Sequence, residues 1–156
     1  MSEVVEMGTR CSITIRDEYG KEYRIYRHND GYPEGVVSDL QIFMSAYDRS
    51  PVESPEYFLA NFIFYAKLAL WERYKKKKRA SKPWEFNYGV CSPNCEHGDL
   101  DYKYLIYPKD GKVMLKIERF SYETMNFKEI FSGEIEKAFE KWAESEGCHL
   151  EPELLY

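Results

Sequence analysis

The sequence predicts an α+β fold: a mostly antiparallel sheet with about three helices packed on one face. Three observations lead there. Short segments of alternating apolar and polar residues come in neighbouring pairs joined by turn residues, the mark of antiparallel hairpins. Longer segments between and after them repeat their apolar residues at helical spacing. No regular strand–helix–strand alternation runs through the chain, as a doubly wound parallel sheet would require.

Cys11-Ser-Ile-Thr-Ile-Arg16 alternates and is β-branched, so it reads as a strand. Asp17-Glu-Tyr-Gly20 turns the chain, and Glu22-Tyr-Arg-Ile-Tyr-Arg27 returns as the second strand. Ile13, Ile15, Tyr23 and Ile25 are the expected buried face. His28 to Gly35 is dense in turn formers and reads as irregular. Val36 to Tyr47 places Val36, Val37, Leu40, Phe43, Met44 and Tyr47 at helical spacing.

Ser54 followed by Pro55 is a helix start, with serine as cap and proline at the first position. That helix is expected from Pro55 to about Arg79. It is apolar for four turns and basic in its last two, where cations suit the dipole. Glu85 to Val90 is a possible strand, and Cys91 to Gly98 an irregular loop. Asp101–Tyr107 and Lys112–Phe120 read as strands around a Pro108–Gly111 turn. Tyr122–Phe131 fits either state. Ser132–Glu146 reads as a helix, capped by Ser132 and ended by Gly147. The expected order is two strands, two helices, about three strands and a helix.

Composition bounds the class. The chain has 156 residues, 44% hydrophobic and 31% charged, with 14 Tyr and 9 Phe. That suits one globular domain over residues 1–156 with a ring-rich core, residues 1–9 being a flexible start and 148–156 a tail. The apolar stretch Tyr57–Trp71 is shorter than the roughly 20 residues a bilayer needs. No signal peptide is visible, and the four cysteines are too few for a disulfide scaffold. The expected location is the cytoplasm, of a host cell if the protein is viral, with no membrane association.

The net charge is −5, from 22 basic and 27 acidic residues. Yet Arg73, Lys75, Lys76, Lys77, Lys78, Arg79 and Lys82 gather seven positive charges within ten positions. Such a run can neutralise phosphates without regard to sequence, and Tyr74 and Trp84 beside it could stack on bases. The plainer reading is a solvated helix end, since consecutive lysines point all round a helix.

The loop after the second strand holds the strongest candidate chemistry. His28 titrates near neutrality and could act as acid or base. Asp30 could orient it or hold a metal, Arg27 could bind a phosphate, and Glu34 adds a second carboxylate. The same residues also make ordinary turn chemistry.

Gly8-Thr-Arg10 before the first strand and Tyr26-Arg-His-Asn-Asp-Gly-Tyr-Pro33 after the second resemble an uncharacterised family of small proteins. That family belongs to phages, archaeal viruses and their prokaryotic hosts. Gly98-Asp-Leu-Asp-Tyr-Lys-Tyr-Leu-Ile106 is similar to the family's acidic-aromatic strand. The resemblance covers about Gly8 to Ile117 and implies a viral or mobile-element origin. It carries no activity to transfer.

Two weaker constellations remain. Cys91, Cys95 and His97 could bind zinc, with Cys148 and His149 completing the set only if the C-terminus folds back. A Cys91–Cys95 disulfide and a loop with incidental cysteines are the alternatives. Glu85, Glu96, Asp99 and Asp101 could hold a divalent metal if they converge. No cofactor is otherwise expected.

Three functions follow. The first is an accessory protein that binds nucleic acid or a host protein. The second is a metal-dependent hydrolase or nuclease built on His28 and Asp30. The third is an oligomeric structural or regulatory protein. The basic run favours the first, because the second needs a convergence that a linear sequence does not display.

Overall fold

The structure is a computed structural model that describes residues 8–75, 82, 88–92 and 98–143, with 73–75 described in their backbone. Its elements are β1 (Cys11–Arg16), β2 (Glu22–Arg27), α1 (Pro33–Ala46), α2 (Pro55–Lys75), β3 (Tyr88–Cys91), β4 (Tyr102–Lys109), β5 (Lys112–Ser121), β6 (Asn126–Glu134) and α3 (Ile135–Trp142). The strands form one six-stranded sheet in the order β3-β2-β1-β4-β5-β6. All neighbours are antiparallel except β1 and β4, which run parallel. The α+β class stands.

The first hairpin has the register its alternation implies, with Ile13 opposite Ile25 and Ile15 opposite Tyr23. Across the parallel pair, Ile13 meets Tyr104 and Ile15 meets Ile106, and the row continues to Leu115 and Ile117. Because side chains alternate across a strand, all of these share one face. They form a single buried core with Val37, Leu40 and Phe43 of α1, Phe58, Phe62 and Ala66 of α2, and Ile135 and Ala138 of α3. Each buried Ile, Leu or Phe stabilises the fold by about 1.5–3 kcal/mol. Tyr23 is only half-buried, at the edge of this core. The central position of β1 buries its other face too, which is why that face carries the small polar Ser12 and Thr14.

Several boundaries differ from the sequence reading, each for a local reason. Helix α1 begins at Pro33, so Pro33, Glu34 and Gly35 are helical and not loop. Proline at the first helical position lacks only an N–H that would be orphaned anyway. The β4–β5 turn is tighter than Pro108–Gly111. Pro108 pairs with Val113 inside the ladder, and Asp110 and Gly111 turn alone with φ of 53° and 74°. Positive φ at both central residues gives the type I′ geometry that matches strand twist.

The ambiguous segment resolves into a turn and strand β6, giving four later strands where about three were expected. Ser132 does not cap a helix. It sits in β6 opposite Lys116, and α3 starts at Ile135, with Glu134 at its N-cap position making no side-chain cap hydrogen bond. The helix ends at Trp142, short of Gly147, which lies outside the described residues. Among the described residues no helix is long and apolar enough to cross a membrane.

Candidate functional site at one end of the sheet

The strand register gathers distant segments at one end of the sheet. There β1 begins, β2 ends, and β4 begins beside β1. Gly31 donates its N–H to the Thr9 carbonyl at 2.9 Å, and the buried Tyr104 hydroxyl donates to the Gly31 carbonyl at 2.7 Å. Arg10 donates its N–H to Asp101 Oδ2 at 3.0 Å, while its side chain pairs with Asp99 at 3.1 Å. The three stretches Gly8–Arg10, Tyr26–Pro33 and Gly98–Ile106 therefore meet around one set of contacts.

Gly31 is required for space. A Cβ there would stand 2.8 Å from the Thr9 carbonyl oxygen and 2.9 Å from the Cys11 Cβ. Asp30 just before it takes a φ of 57°, a left-handed conformation that aspartate tolerates better than most residues.

The expected catalytic residues are divided between partners. Arg27 has no solvent exposure, and its Nη2 lies 3.0 Å from Asp39 Oδ2, which is equally buried. Its Nε donates to the Asn29 carbonyl at 2.9 Å. Burial works against that charge, but Tyr88, Asp39, Cys11 and Asp30 hold the guanidinium firmly protonated. Burial likewise raises the Tyr88 hydroxyl above its ordinary value, against the pull of Arg27. Arg27 thus pins β2 to α1 and orders its own loop instead of facing solvent.

His28 exchanges a hydrogen bond with Tyr26, Nδ1 to hydroxyl at 2.9 Å. Burial, with Asp99 adding to it, raises the Tyr26 hydroxyl above its ordinary value. Asp30 accepts from the Tyr32 hydroxyl at 3.1 Å. Glu34 is exposed in the first turn of α1.

The remaining candidates are placed as follows. Cys91 ends β3, half-buried, and Cys95, His97, Glu85, Glu96, Cys148 and His149 lie outside the described residues. Among the described residues no three His, Cys, Asp or Glu side chains stand close enough to share a metal ion. Arg73 and Lys75 belong to the last turn of α2, Lys82 is exposed, and Lys76, Lys77, Lys78 and Arg79 fall outside the described residues.

Phe43 of α1 packs on Phe58, Phe62 and Tyr65 of α2, and Tyr47 just after α1 packs on Phe58. The first half of α2 lies beside Lys21–Ile25 of β2, with Leu59, Ala60 and Ile63 along the same groove.

Among the described residues, two of the surface cavities bear on a ligand. The larger, about 440 Å³, lies between α2 and the β2–β3 edge and is walled mainly by apolar groups, among them Tyr23, Leu59, Ile63 and Val90. Lys21, Glu22, Arg24 and Glu56 also line it, with little polar surface turned inward. The smaller, about 250 Å³, sits at the gathered end between Thr9, Tyr32, Asp101, Tyr102, Arg119, Phe120 and Tyr122, with Gly8 at its rim. Four aromatic residues, an arginine and an aspartate contribute to its lining.

The Arg119 guanidinium lies 5.9 Å from the Tyr102 ring centre, and Phe120 meets Tyr122 edge-on at 5.0 Å. Burial raises the Tyr102 hydroxyl above its ordinary value, with Arg119 opposing and Glu34 adding. Tyr122 itself is 74% exposed. The sequence reading missed this pocket because its walls come from four separate stretches. Asp101 reads there as a possible metal ligand, while Gly8, Thr9, Tyr32 and Tyr102 stand only within the stretches that carry the resemblance.

No family model, no curated protein and no solved structure matches the chain.

Proposed function

We propose that this protein binds single-stranded nucleic acid at the gathered end of its sheet, as a small accessory protein without turnover. The observation that carries the reading is the ring-walled pocket of about 250 Å³ with Arg119 beside Tyr102. A base stacked on an aromatic side chain contributes about 1–3 kcal/mol, and any base can stack. The volume lies a little below the roughly 300–1,000 Å³ of pockets for drug-sized ligands, room for one ring system.

The basic run in the sequence supports the reading. The seven positive charges from Arg73 to Lys82 offer the phosphates on either side of a stacked base positive charge to meet. Away from this region the chain is acidic, so attraction would be local and binding salt-dependent. The family resemblance supports a viral or mobile-element setting.

The test is a panel of labelled single- and double-stranded DNA and RNA, with and without magnesium or manganese, on native and denaturing gels. The expected result is retarded, intact single strands released by salt, and loss of retardation when Lys75, Lys76, Lys77 and Lys78 are all changed to Glu. Shortened strands that vanish in His28→Ala would replace this reading with a nuclease. No retardation of any strand would end the nucleic-acid reading and direct the search to a protein partner.

A further inference from the structure

The ring-walled pocket also carries information about which base it would hold. This inference rests on the nucleic-acid reading above. Asp101 and Arg119 are the charged groups in the pocket wall among the described residues. Asp101 is held on three sides. Its N–H donates to the Arg10 carbonyl at 2.9 Å, its carbonyl accepts from the Phe120 N–H at 2.9 Å, and its Oδ2 accepts the Arg10 N–H at 3.0 Å. The backbone of Asp101 is thus held by Arg10 and Phe120, and the Arg10 N–H fixes one oxygen of its carboxylate. Its Oδ1 accepts no hydrogen bond among the described residues.

A carboxylate only accepts. The edge that faces it must donate, and two adjacent donors suit its two oxygens. Guanine offers that edge, with its ring N1–H beside its exocyclic N2 amine. Adenine and cytosine each set one amine beside a ring acceptor, whose lone pair would oppose a carboxylate oxygen. Uracil and thymine carry one N–H between two carbonyls. A quaternary ammonium would suit the rings and Asp101, but Arg119 beside Tyr102 opposes a cationic ligand. We infer that Asp101 makes this a guanine pocket, and that the protein prefers single strands with an unpaired guanine.

The test uses short thymine-rich strands with one central guanine, hypoxanthine, adenine or cytosine, titrated by fluorescence anisotropy. The guanine strand is expected to bind roughly tenfold tighter than the adenine and cytosine strands. Hypoxanthine, which lacks the N2 amine, should fall between. Asp101→Asn keeps an acceptor for the Arg10 N–H but replaces the paired acceptors by one donor and one acceptor, a match for adenine. The variant is expected to lose the guanine preference and move toward adenine, with unchanged melting. Equal binding of all four strands by the unaltered protein would overturn the guanine assignment and leave the nucleic-acid reading standing. So would a guanine preference that survives Asp101→Asn. Failure to bind any strand would overturn both.

Discussion

Arg27 and Asp39 form an ion pair with Nη2 and Oδ2 3.0 Å apart, and neither side chain is exposed to solvent. One is the last residue of β2 and the other lies in the second turn of α1. Taking both charges out of water costs several kcal/mol each, which their attraction offsets only while both are present. The pair also sets the path of the loop between them, since Arg27 Nε holds the Asn29 carbonyl.

Removing one partner should therefore be worse than removing both. Arg27→Met or Asp39→Asn is expected to cost about 3–5 kcal/mol, and the combined Arg27→Met, Asp39→Leu protein much less. Urea unfolding midpoints at unchanged slope would measure this. A combined variant as unstable as the sum of the two single changes would contradict it.

Cys11 makes the fold sensitive to alkali. Burial pushes its thiol up to about 12, against the pull of Arg27. An unfolded thiol ionises near about 8.5. Between those values the native state binds more protons than the unfolded state, so stability falls as pH rises. The loss should begin above about pH 8.5 and approach about 1.4 kcal/mol per pH unit. In Cys11→Ala the fall should start later, near pH 10, where unfolded tyrosines ionise while burial keeps Tyr104 protonated. Stability curves from pH 7 to 11 for the two proteins would check this.

Gly31 tests the close packing of the gathered end. Alanine there would meet Thr9 and Cys11 at under 3 Å. Neither the backbone oxygen nor the buried side chain can move away freely, so a cost of about 1–3 kcal/mol is expected. A melting temperature unchanged by Gly31→Ala would show that the loop has more room than this.

Tyr104→Phe removes the hydroxyl that donates to the Gly31 carbonyl and leaves that buried acceptor unpaired. The expected loss is about 1–3 kcal/mol, read by the same unfolding curves. A loss in Tyr104→Phe and none in Gly31→Ala would separate the hydrogen bond from the packing.

The hairpin was legible because Ile13, Ile15, Tyr23 and Ile25 alternate strictly and Gly20 closes the turn. Phe58, Phe62, Ala66 and Ala69 repeat every three or four residues, so α2 was legible too. Strand β6 was not, because its edge position leaves most of it exposed and its residues need no apolar alternation. For the same reason Ser132 looked like a helix cap, although pairing with β5 holds it in a strand. The pocket lay further out of reach. Nothing near Tyr32 or Tyr122 indicates that they share a wall. That follows from the parallel β1–β4 register, which sets Arg10 against Asp101, and from the β4–β5 register, which sets Tyr102 opposite Arg119. His28 and Asp30 looked like one site because they are two residues apart, but they hydrogen-bond to different tyrosines.

The central claim is that the ring-walled pocket receives a base, and Tyr122→Ala is its most direct test. Tyr122 is 74% exposed, so its removal should leave the melting temperature unchanged. Affinity for a labelled single strand, measured by anisotropy at fixed salt, is expected to fall roughly tenfold. Equal affinity of the two proteins, or no binding by the unaltered one, would contradict it.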